Sequence, residues 1–454
     1  MIGQKYLVVG SGISGRAALN LLEQLGAQVI LFDSSDKCKI DELQEKLPES
    51  SRAKCYAGSL PQEEERTLDK VVLSPGVPAD LPIINRWRKQ GVEILGEIEL
   101  AFTAERGRVA AITGTNGKTT TTALTGEIMK AHLGADQVFV VGNIGNPYTA
   151  VVSKTSPDTV TVGELSSFQL ETVHSFRPDV SAILNITPDH LNRHHTMEAY
   201  VEAKEKIASN QGPEELCVLN YDNPYTRDFG RRCSAKVIYF SSAKQLINGY
   251  FLKDNKIFRA KDGKIRVLMD IYRDMKLVGI CNAENVMAAI AIAEGMQVPM
   301  DTILSVIRTF RAVEHRIEPV ATKGGVEYFN DSKATNPDAA IQGVRAMHKP
   351  TVLIAGGYDK QNEYDEWINY FKGRVKSLVL IGQTRDKIAQ CARKHGFTDI
   401  YFAETFEECL IRATGLAKEG DAVLLSPACA SWGMFPNYEI RGKVFKDYVN
   451  GLKE

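Results

Sequence analysis

Apolar positions along the chain gather in short runs separated by helix-length amphipathic stretches, and this alternation occurs in three successive series. In the first, runs rich in aliphatic and β-branched residues at 6–9, 28–33, 70–74 and 92–95 read as strands, with helical periodicity between them, as at 17–25. The second opens with the run 109–113 and continues with 137–141, 159–164 and 180–186, before helical patterns near 199–208 and 283–294. Residues 237–270 break the rhythm: apolar and polar positions alternate around Gly249 and the pair Asp262-Gly263, which predicts a small antiparallel insertion. The third series has runs at 326–330, 351–355, 377–381, 400–402 and 422–425. The pattern predicts an α/β fold of three domains, 1–96, 97–312 and 313–454, and the 454 residues suffice for three cores of roughly 100–200 residues each.

Composition narrows the function classes. With 55 Lys and Arg against 56 Asp and Glu, the net charge of -1 supplies no overall field to draw a nucleic acid or an anionic membrane. No apolar run approaches the ~20 residues of a membrane span, and MIGQKYLVVGSG enters a strand without a signal-peptide pattern, so a cytoplasmic protein is expected. The eight cysteines are dispersed without a C-x-x-C pair, which argues for reduced thiols rather than a disulfide framework or a zinc knuckle.

Two glycine loops carry candidate chemistry. Gly10-Ser11-Gly12-Ile13-Ser14-Gly15 follows the first run, with Asp33 ending the second, and fits the G-x-G-x-x-G of a Rossmann-like domain. Its glycines let the backbone approach a diphosphate at a helix N-terminus, and a UDP-sugar is as acceptable there as NAD. The second loop, Gly114-Thr115-Asn116-Gly117-Lys118-Thr119-Thr120, is shorter than G-x-x-x-x-G-K-[ST], which would require a glycine at Ile112. It still offers backbone N–H groups and Lys118 for phosphates and a Thr119 or Thr120 hydroxyl for Mg²⁺, while Glu164 ends a neighbouring run with the acid such a site needs.

His190 follows the run 180–186 and so falls on the same strand-end edge as Lys118 and Glu164. His194 and His195 read as surface or capping residues, and zinc on His190 and His194 lacks the Glu of H-E-x-x-H. Tyr200, Ala203, Lys204 and Ile207 form one helical stripe that turns Lys204 inward. Spacing alone favours a buried ion pair for that lysine; the alternative is a reactive amine of lowered pKa that takes up carbon dioxide as a carbamate.

Together, GTNGKTT (114–120), GNIGNP (142–147), ELSSFQLE (164–171), LNITPDHLNRH (184–194), YVEAKEKI (200–207), EHRIE (314–318), NDSKATNP (330–337), AGGYDK (355–360) and LLSPACASWGMF (424–435) resemble the Mur ligase family, in order and over the whole chain. ELSSFQLE, NDSKATNP and SPACAS resemble its D-glutamate-adding branch. The resemblance implies an ATP-dependent amide-bond ligase that adds D-glutamate to UDP-N-acetylmuramoyl-L-alanine through an acyl phosphate, in cytoplasmic peptidoglycan precursor synthesis. It implies a central P-loop ATPase-like domain flanked by Rossmann-like N- and C-terminal domains, acting as a monomer.

Residue by residue, the resemblance assigns ATP to Gly114, Thr115, Asn116, Gly117, Lys118, Thr119, Thr120, Asn282, Asn285, Arg316 and Asp331. Thr119 and Glu164 would hold one Mg²⁺; Glu164, His190 and a carbamylated Lys204 would hold a second. Asn143 would lie near the reacting carboxylate and completes a catalytic set with Lys118, Glu164, His190 and Lys204. Ile13, Ser14, Ser34, Ser35 and Gly76 would line the UDP site, with Asn143, Ser166 and Gln169 toward the muramoyl-alanine end. Lys333, Thr335, Lys360, Ser431 and Tyr438 match the D-glutamate site. One departure concerns the UDP site, where family members often carry Arg just after the acidic end of the second strand and Asp33-Ser34-Ser35-Asp36-Lys37 has only Lys37. Three other readings explain less. A folate polyglutamate ligase would lack the N-terminal G-x-G-x-x-G, an NAD-dependent oxidoreductase accounts only for residues 10–33, and a nucleotide-operated switch leaves Lys204, Lys333, Lys360 and Ser431 idle.

Overall fold

The computed structural model describes residues 1–35 and 39–453, apart from the side chain of Asn192; Lys37 lies outside the described residues. The first sheet comprises β1 (Lys5–Val9), β2 (Gln28–Asp33), β3 (Lys54–Ala57), β4 (Lys70–Leu73) and β5 (Glu93–Gly96), all parallel, in the order β3-β2-β1-β4-β5. Both faces are covered: Leu7, Val9, Ile30 and Phe32 pack with Ile84 and Trp87, while Tyr6, Val8 and Leu31 pack with Leu19 and Leu22. That is why β1 and β2 read as continuous apolar runs. The order reverses between β1 and β4, and the first glycine loop leaves β1 at this switch point, where α/β sheets open a ligand crevice. A Cβ at Gly15 would lie 1.9 Å from the Gly10 carbonyl oxygen, so only glycine lets the helix Ile13–Gln24 seat this closely on its strand.

The second sheet holds β6 (Arg108–Thr113), β7 (Val138–Gly142), β8 (Val160–Glu164), β9 (Val180–Ile183), β10 (Leu216–Asn220), β11 (Lys236–Ser241), β12 (Gly249–Lys253), β13 (Lys256–Lys261) and β14 (Lys264–Asp270), in the order β14-β13-β12-β11-β10-β9-β6-β8-β7. The expected antiparallel insertion is smaller than residues 237–270. β11 runs parallel to β10 and extends the main sheet, and antiparallel pairing begins with β12 and β13 around Asp254 and Asn255, both at positive φ as a two-residue hairpin turn requires. The expected strand 180–186 also ends early, because residues 184–187 leave the sheet to brace the second glycine loop.

The third sheet contains β15 (Glu318–Lys323), β16 (Val326–Asn330), β17 (Thr351–Ala355), β18 (Val375–Leu380), β19 (Ile400–Phe402) and β20 (Ala422–Leu425), in the order β15-β16-β20-β17-β18-β19. Of these described strands only β15 is antiparallel, folding back on β16. Residues 1–269 with 284–307 form one compact unit and 270–283 with 308–454 a second. Within the first unit the two sheets are fastened by buried carboxylates: Glu99 accepts from the backbone of His174, Ser175 and Phe176, and Glu97 from Thr149. No described helix is long and apolar enough to cross a membrane.

Candidate active site

β6 delivers the chain into the second glycine loop, and the helix Lys118–Leu133 begins directly after Gly117. Gly117 has φ of +85°, and a Cβ there would lie 2.2 Å from Asn285 Oδ1, so backbone conformation and space both demand glycine. The loop is braced from behind. Thr115 N donates to Asn185 O at 2.9 Å, Asn116 N donates to Asn185 Oδ1 at 2.8 Å, and Asn185 Nδ2 donates back to Asn116 O at 3.1 Å. Thr115 Oγ1 lies 3.1 Å from the Tyr200 hydroxyl and accepts from Thr187 N. Asn185 and Tyr200 therefore give a shortened loop a fixed shape, a role not legible in their sequence positions. Thr119 and Thr120 are buried in the first helical turn, where the positive end of the helix dipole favours an anion.

Two lysines meet at this loop. Lys118 Nζ donates to Gly114 O at 2.8 Å and Thr115 O at 2.9 Å, and Lys204 Nζ donates to the same Gly114 O at 2.8 Å. Lys204 is buried and stands 4.6 Å over the Tyr200 ring. The ion pair that spacing favoured is not what holds it: its partners are a carbonyl and an aromatic face. Burial, helped by the charge of Lys118, holds its pKa well below the ordinary lysine value, and Asp189 only partly opposes this.

Glu164 ends β8 opposite Ile112 of β6 and Gly142 of β7, which places it on the loop's edge of the sheet. Its Oε1 accepts from Asn143 Nδ2 at 2.8 Å, and Asn143 N also donates to the Glu164 carbonyl at 2.8 Å. Its Oε2 is buried and makes no hydrogen bond. A buried carboxylate oxygen without a donor is costly, and a cation at that oxygen would satisfy it.

His190 precedes the short helix Leu191–His194 with φ of +53°, its ring 4.9 Å from that of Phe168 and its Nε2 3.5 Å from Asp189. His194 overturns the surface reading: it is buried, with Nε2 2.9 Å from Ser167 Oγ, and burial lowers its pKa. His195 does sit at the surface. Ser166 and Gln169 form a reciprocal cap, Gln169 N donating to Ser166 Oγ and Ser166 N to Gln169 Oε1.

Arg193, which its sequence motif leaves without a role, is a joint. It pairs with Glu171 at 2.7 Å, stacks 4.3 Å over Phe168, and donates to Val77 O at 3.1 Å and Pro75 O at 3.4 Å. It thereby holds the loop carrying exposed Gly76 against the ELSSFQLE segment. A cleft of about 300 Å³ opens beside it, lined in part by Arg88, Arg193, His195 and Lys206. Ile13, Ser34 and Ser35 are exposed and Ser14 half-buried, all at the C-terminal ends of β1 and β2. Asp33 is occupied: it accepts from Ser11 N at 3.0 Å, Ser11 Oγ at 2.5 Å and Ser35 N at 3.1 Å. Burial pushes its carboxyl up, but these hydrogen bonds outweigh burial and leave its pKa lowered. The fingerprint acid thus shapes the loop.

In the second unit, Lys360 Nζ stands 5.3 Å over the Trp432 ring and Lys333 Nζ 5.5 Å over Tyr438. Ser431 is buried and Thr335 half-buried. Arg441, which no sequence pattern singles out, ties these segments together: buried, it donates to Ser332 O at 2.8 Å and Cys429 O at 3.2 Å, while Ser332 Oγ donates to Tyr438 O. Burial lowers its pKa to about 10. Asp331 accepts from Ser426 Oγ at 2.8 Å and Ile317 N at 3.2 Å, and burial pushes its carboxyl up to about 7 against the pull of Arg316. Arg316 Nε is buried without a hydrogen-bond partner. Asn282 and Asn285 share the helix Ile280–Gly295; Asn282 Nδ2 donates to Val278 O, and Asn285, which belongs to the first unit, meets the helix after the second glycine loop at Thr121.

The chain matches the Mur ligase MurD-like N-terminal domain over residues 4–96, the Mur ligase middle domain over 112–293 and the Mur ligase glutamate ligase domain over 315–429. It is 52% identical to a UDP-N-acetylmuramoylalanine–D-glutamate ligase of Lachnoclostridium phytofermentans, covering 100% of this chain and 99% of that protein. It is 47% identical to the protein of that name from Clostridioides difficile, over 99% of each chain. Among solved structures, a UDP-N-acetylmuramate-alanine ligase of Thermotoga maritima shares the fold with a TM-score of 0.58 at 19% identity, covering 98% of this chain and 99% of that one. A Thermotoga maritima MurF ligase in complex with ADP does so at 0.58 and 16% identity, covering 99% of this chain and 95% of that one. The chain belongs to the Mur ligase family.

Proposed function

We infer that the protein is an ATP-dependent ligase that joins D-glutamate to UDP-N-acetylmuramoyl-L-alanine by an amide bond, in the synthesis of peptidoglycan precursors. The observation that carries this reading is full-length identity of 52% to a relative of that name. The site chemistry supports it. Forming an amide from a carboxylate requires an activated acyl group, and ATP supplies one by transferring its terminal phosphoryl to the substrate carboxylate. The loop amides and Lys118 would neutralise the phosphates, with Lys118 exchanging its two carbonyl partners for phosphate oxygens. Asn282, Asn285, Arg316 and Asp331 are proposed nucleotide contacts.

The orphaned Oε2 of Glu164 fits a divalent cation, and Thr119 with Glu164 would hold one Mg²⁺. Such an ion supplies charge neutralisation at the phosphates. Asn143 fixes Oε1 and so leaves Oε2 for the cation. Lys204 is suited to carbamylation because its burial lowers the pKa of the amine and so favours the neutral, nucleophilic form. Addition of carbon dioxide to Nζ releases a proton and creates an anion, which with Glu164 and His190 would hold a second Mg²⁺. The UDP moiety is assigned to the switch point at Ile13, Ser14, Ser34, Ser35 and Gly76, and the muramoyl-alanine end to Ser166 and Gln169. The acidic amino acid needs cations and hydroxyls around two carboxylates, for which Lys333, Thr335, Lys360 and Ser431 serve, beside Tyr438. Domains 1–96, 97–312 and 313–454, acting as a monomer in the cytoplasm, complete the proposal.

The test is ATP-dependent phosphate release with UDP-N-acetylmuramoyl-L-alanine and D-glutamate, L-glutamate or no amino acid. Release is expected only with D-glutamate; release that needs neither substrate would instead mark a plain ATPase.

A further inference from the structure

Asp365, Cys391 and His395 belong to none of the sites assigned above, yet one donor atom of each lies within 4.8 Å of the other two. Asp365 opens the helix Asp365–Asn369. Cys391 sits in the last turn of the helix Arg385–Lys394 and His395 caps its end, so the i, i+4 spacing sets thiol and imidazole on one face. His395 Nε2 is already 2.9 Å from Asp365 Oδ1, and Lys394 Nζ reaches the same oxygen at 2.8 Å.

We propose that Asp365, Cys391 and His395 form a zinc site. A carboxylate, a thiolate and an imidazole are the donors zinc prefers, whereas Mg²⁺ takes oxygen. Bonds of about 2.0–2.3 Å in a tetrahedron place donors roughly 3.3–3.8 Å apart, so the trio closes on an ion by small side-chain adjustments. On binding, the Cys391 thiol releases its proton to solvent, and the ion replaces the Lys394 ammonium on Asp365. Three protein donors leave the fourth position to water. The ion would clip together two helices that already meet through the ion pairs of Asp365 and through the core shared by Trp367, Ile388 and Ala392, just after the loop that carries Lys360. The scattered cysteines concealed the site, because its ligands are a C-x-x-x-H pair and a distant aspartate rather than paired cysteines.

The experiment titrates the full-length, metal-free protein with Co²⁺ and follows thiolate-to-cobalt charge-transfer absorption. The Mg²⁺ residues proposed for the ligase reaction include no sulfur, so this band reports Cys391 whether or not the ligase assignment holds. The expected result is a band that saturates at one equivalent and is bleached by Zn²⁺, abolished in Cys391→Ser and shifted to at least tenfold higher Co²⁺ in His395→Ala. Circular dichroism verifies that both variants are folded. Absence of the band in the wild type, or its persistence unchanged in both variants, overturns the proposal.

Discussion

Replacing Asp331 by Asn removes a buried carboxyl whose pKa stands at about 7 in the folded protein, against 3.8 for an ordinary aspartate. The folded chain therefore keeps a proton that the unfolded chain loses, and stability falls as pH rises from about 4 to 7. The gap between the two values corresponds to about 4 kcal/mol at the alkaline limit, and about 1.5 kcal/mol of that is already lost at pH 5. An asparagine at this position carries no such penalty. Relative to wild type, Asp331→Asn should gain about 2.5 kcal/mol between pH 5 and pH 8, on top of any constant offset from exchanging the bonds to Ser426 and Ile317. For a unit of this size, at roughly 2–4 °C per kcal/mol, the difference in melting temperature should widen by about 5–10 °C. Thermal unfolding of both proteins without ligand, followed by circular dichroism across this range, measures it. A difference that stays flat or narrows as pH rises refutes the reasoning. If Asp331 also contacts the nucleotide, the variant will show a raised KM for ATP despite its greater stability.

Lys204→Met should stabilise the fold at neutral pH, since a depressed pKa means that burying this amine opposes folding below the ordinary lysine value, and it should abolish ligation. Thermal unfolding beside an activity assay checks both. Lys204→Ala should be inactive with added bicarbonate and partly restored by short carboxylic acids; activity equal to wild type would remove the carbamate. Glu164→Gln should lower kcat by about 100-fold or more and raise the Mg²⁺ concentration required, and an unchanged Mg²⁺ dependence in a steady-state titration would count against the metal role. Arg193→Ala frees the loop around Gly76 and should raise KM for the UDP substrate while leaving that for ATP near wild type, read from paired steady-state titrations.

Periodicity and turn chemistry act over a few neighbouring residues, and they were enough to set the α/β plan, the two glycine loops and the placement of those loops after strands. Runs buried on both faces, such as β2, β16 and β17, were legible almost to the residue for that reason. Strands lacking a distinctive pattern were not: β3 buries only Cys55, β15 is an edge strand carrying Pro319, and β10 is a short apolar run with no period to read. Resemblance named the side chains at strand ends, but their partners depended on packing. Lys204 was legible as inward-facing, whereas its seat on the Gly114 carbonyl comes from a residue 90 positions away. The same holds for Arg193, whose partner Val77 is 116 positions distant, and for Arg441, whose partner Ser332 is 109 positions distant. Contacts at that separation are fixed by how sheets and helices pack and which polar groups burial leaves to be satisfied, and no local pattern encodes them.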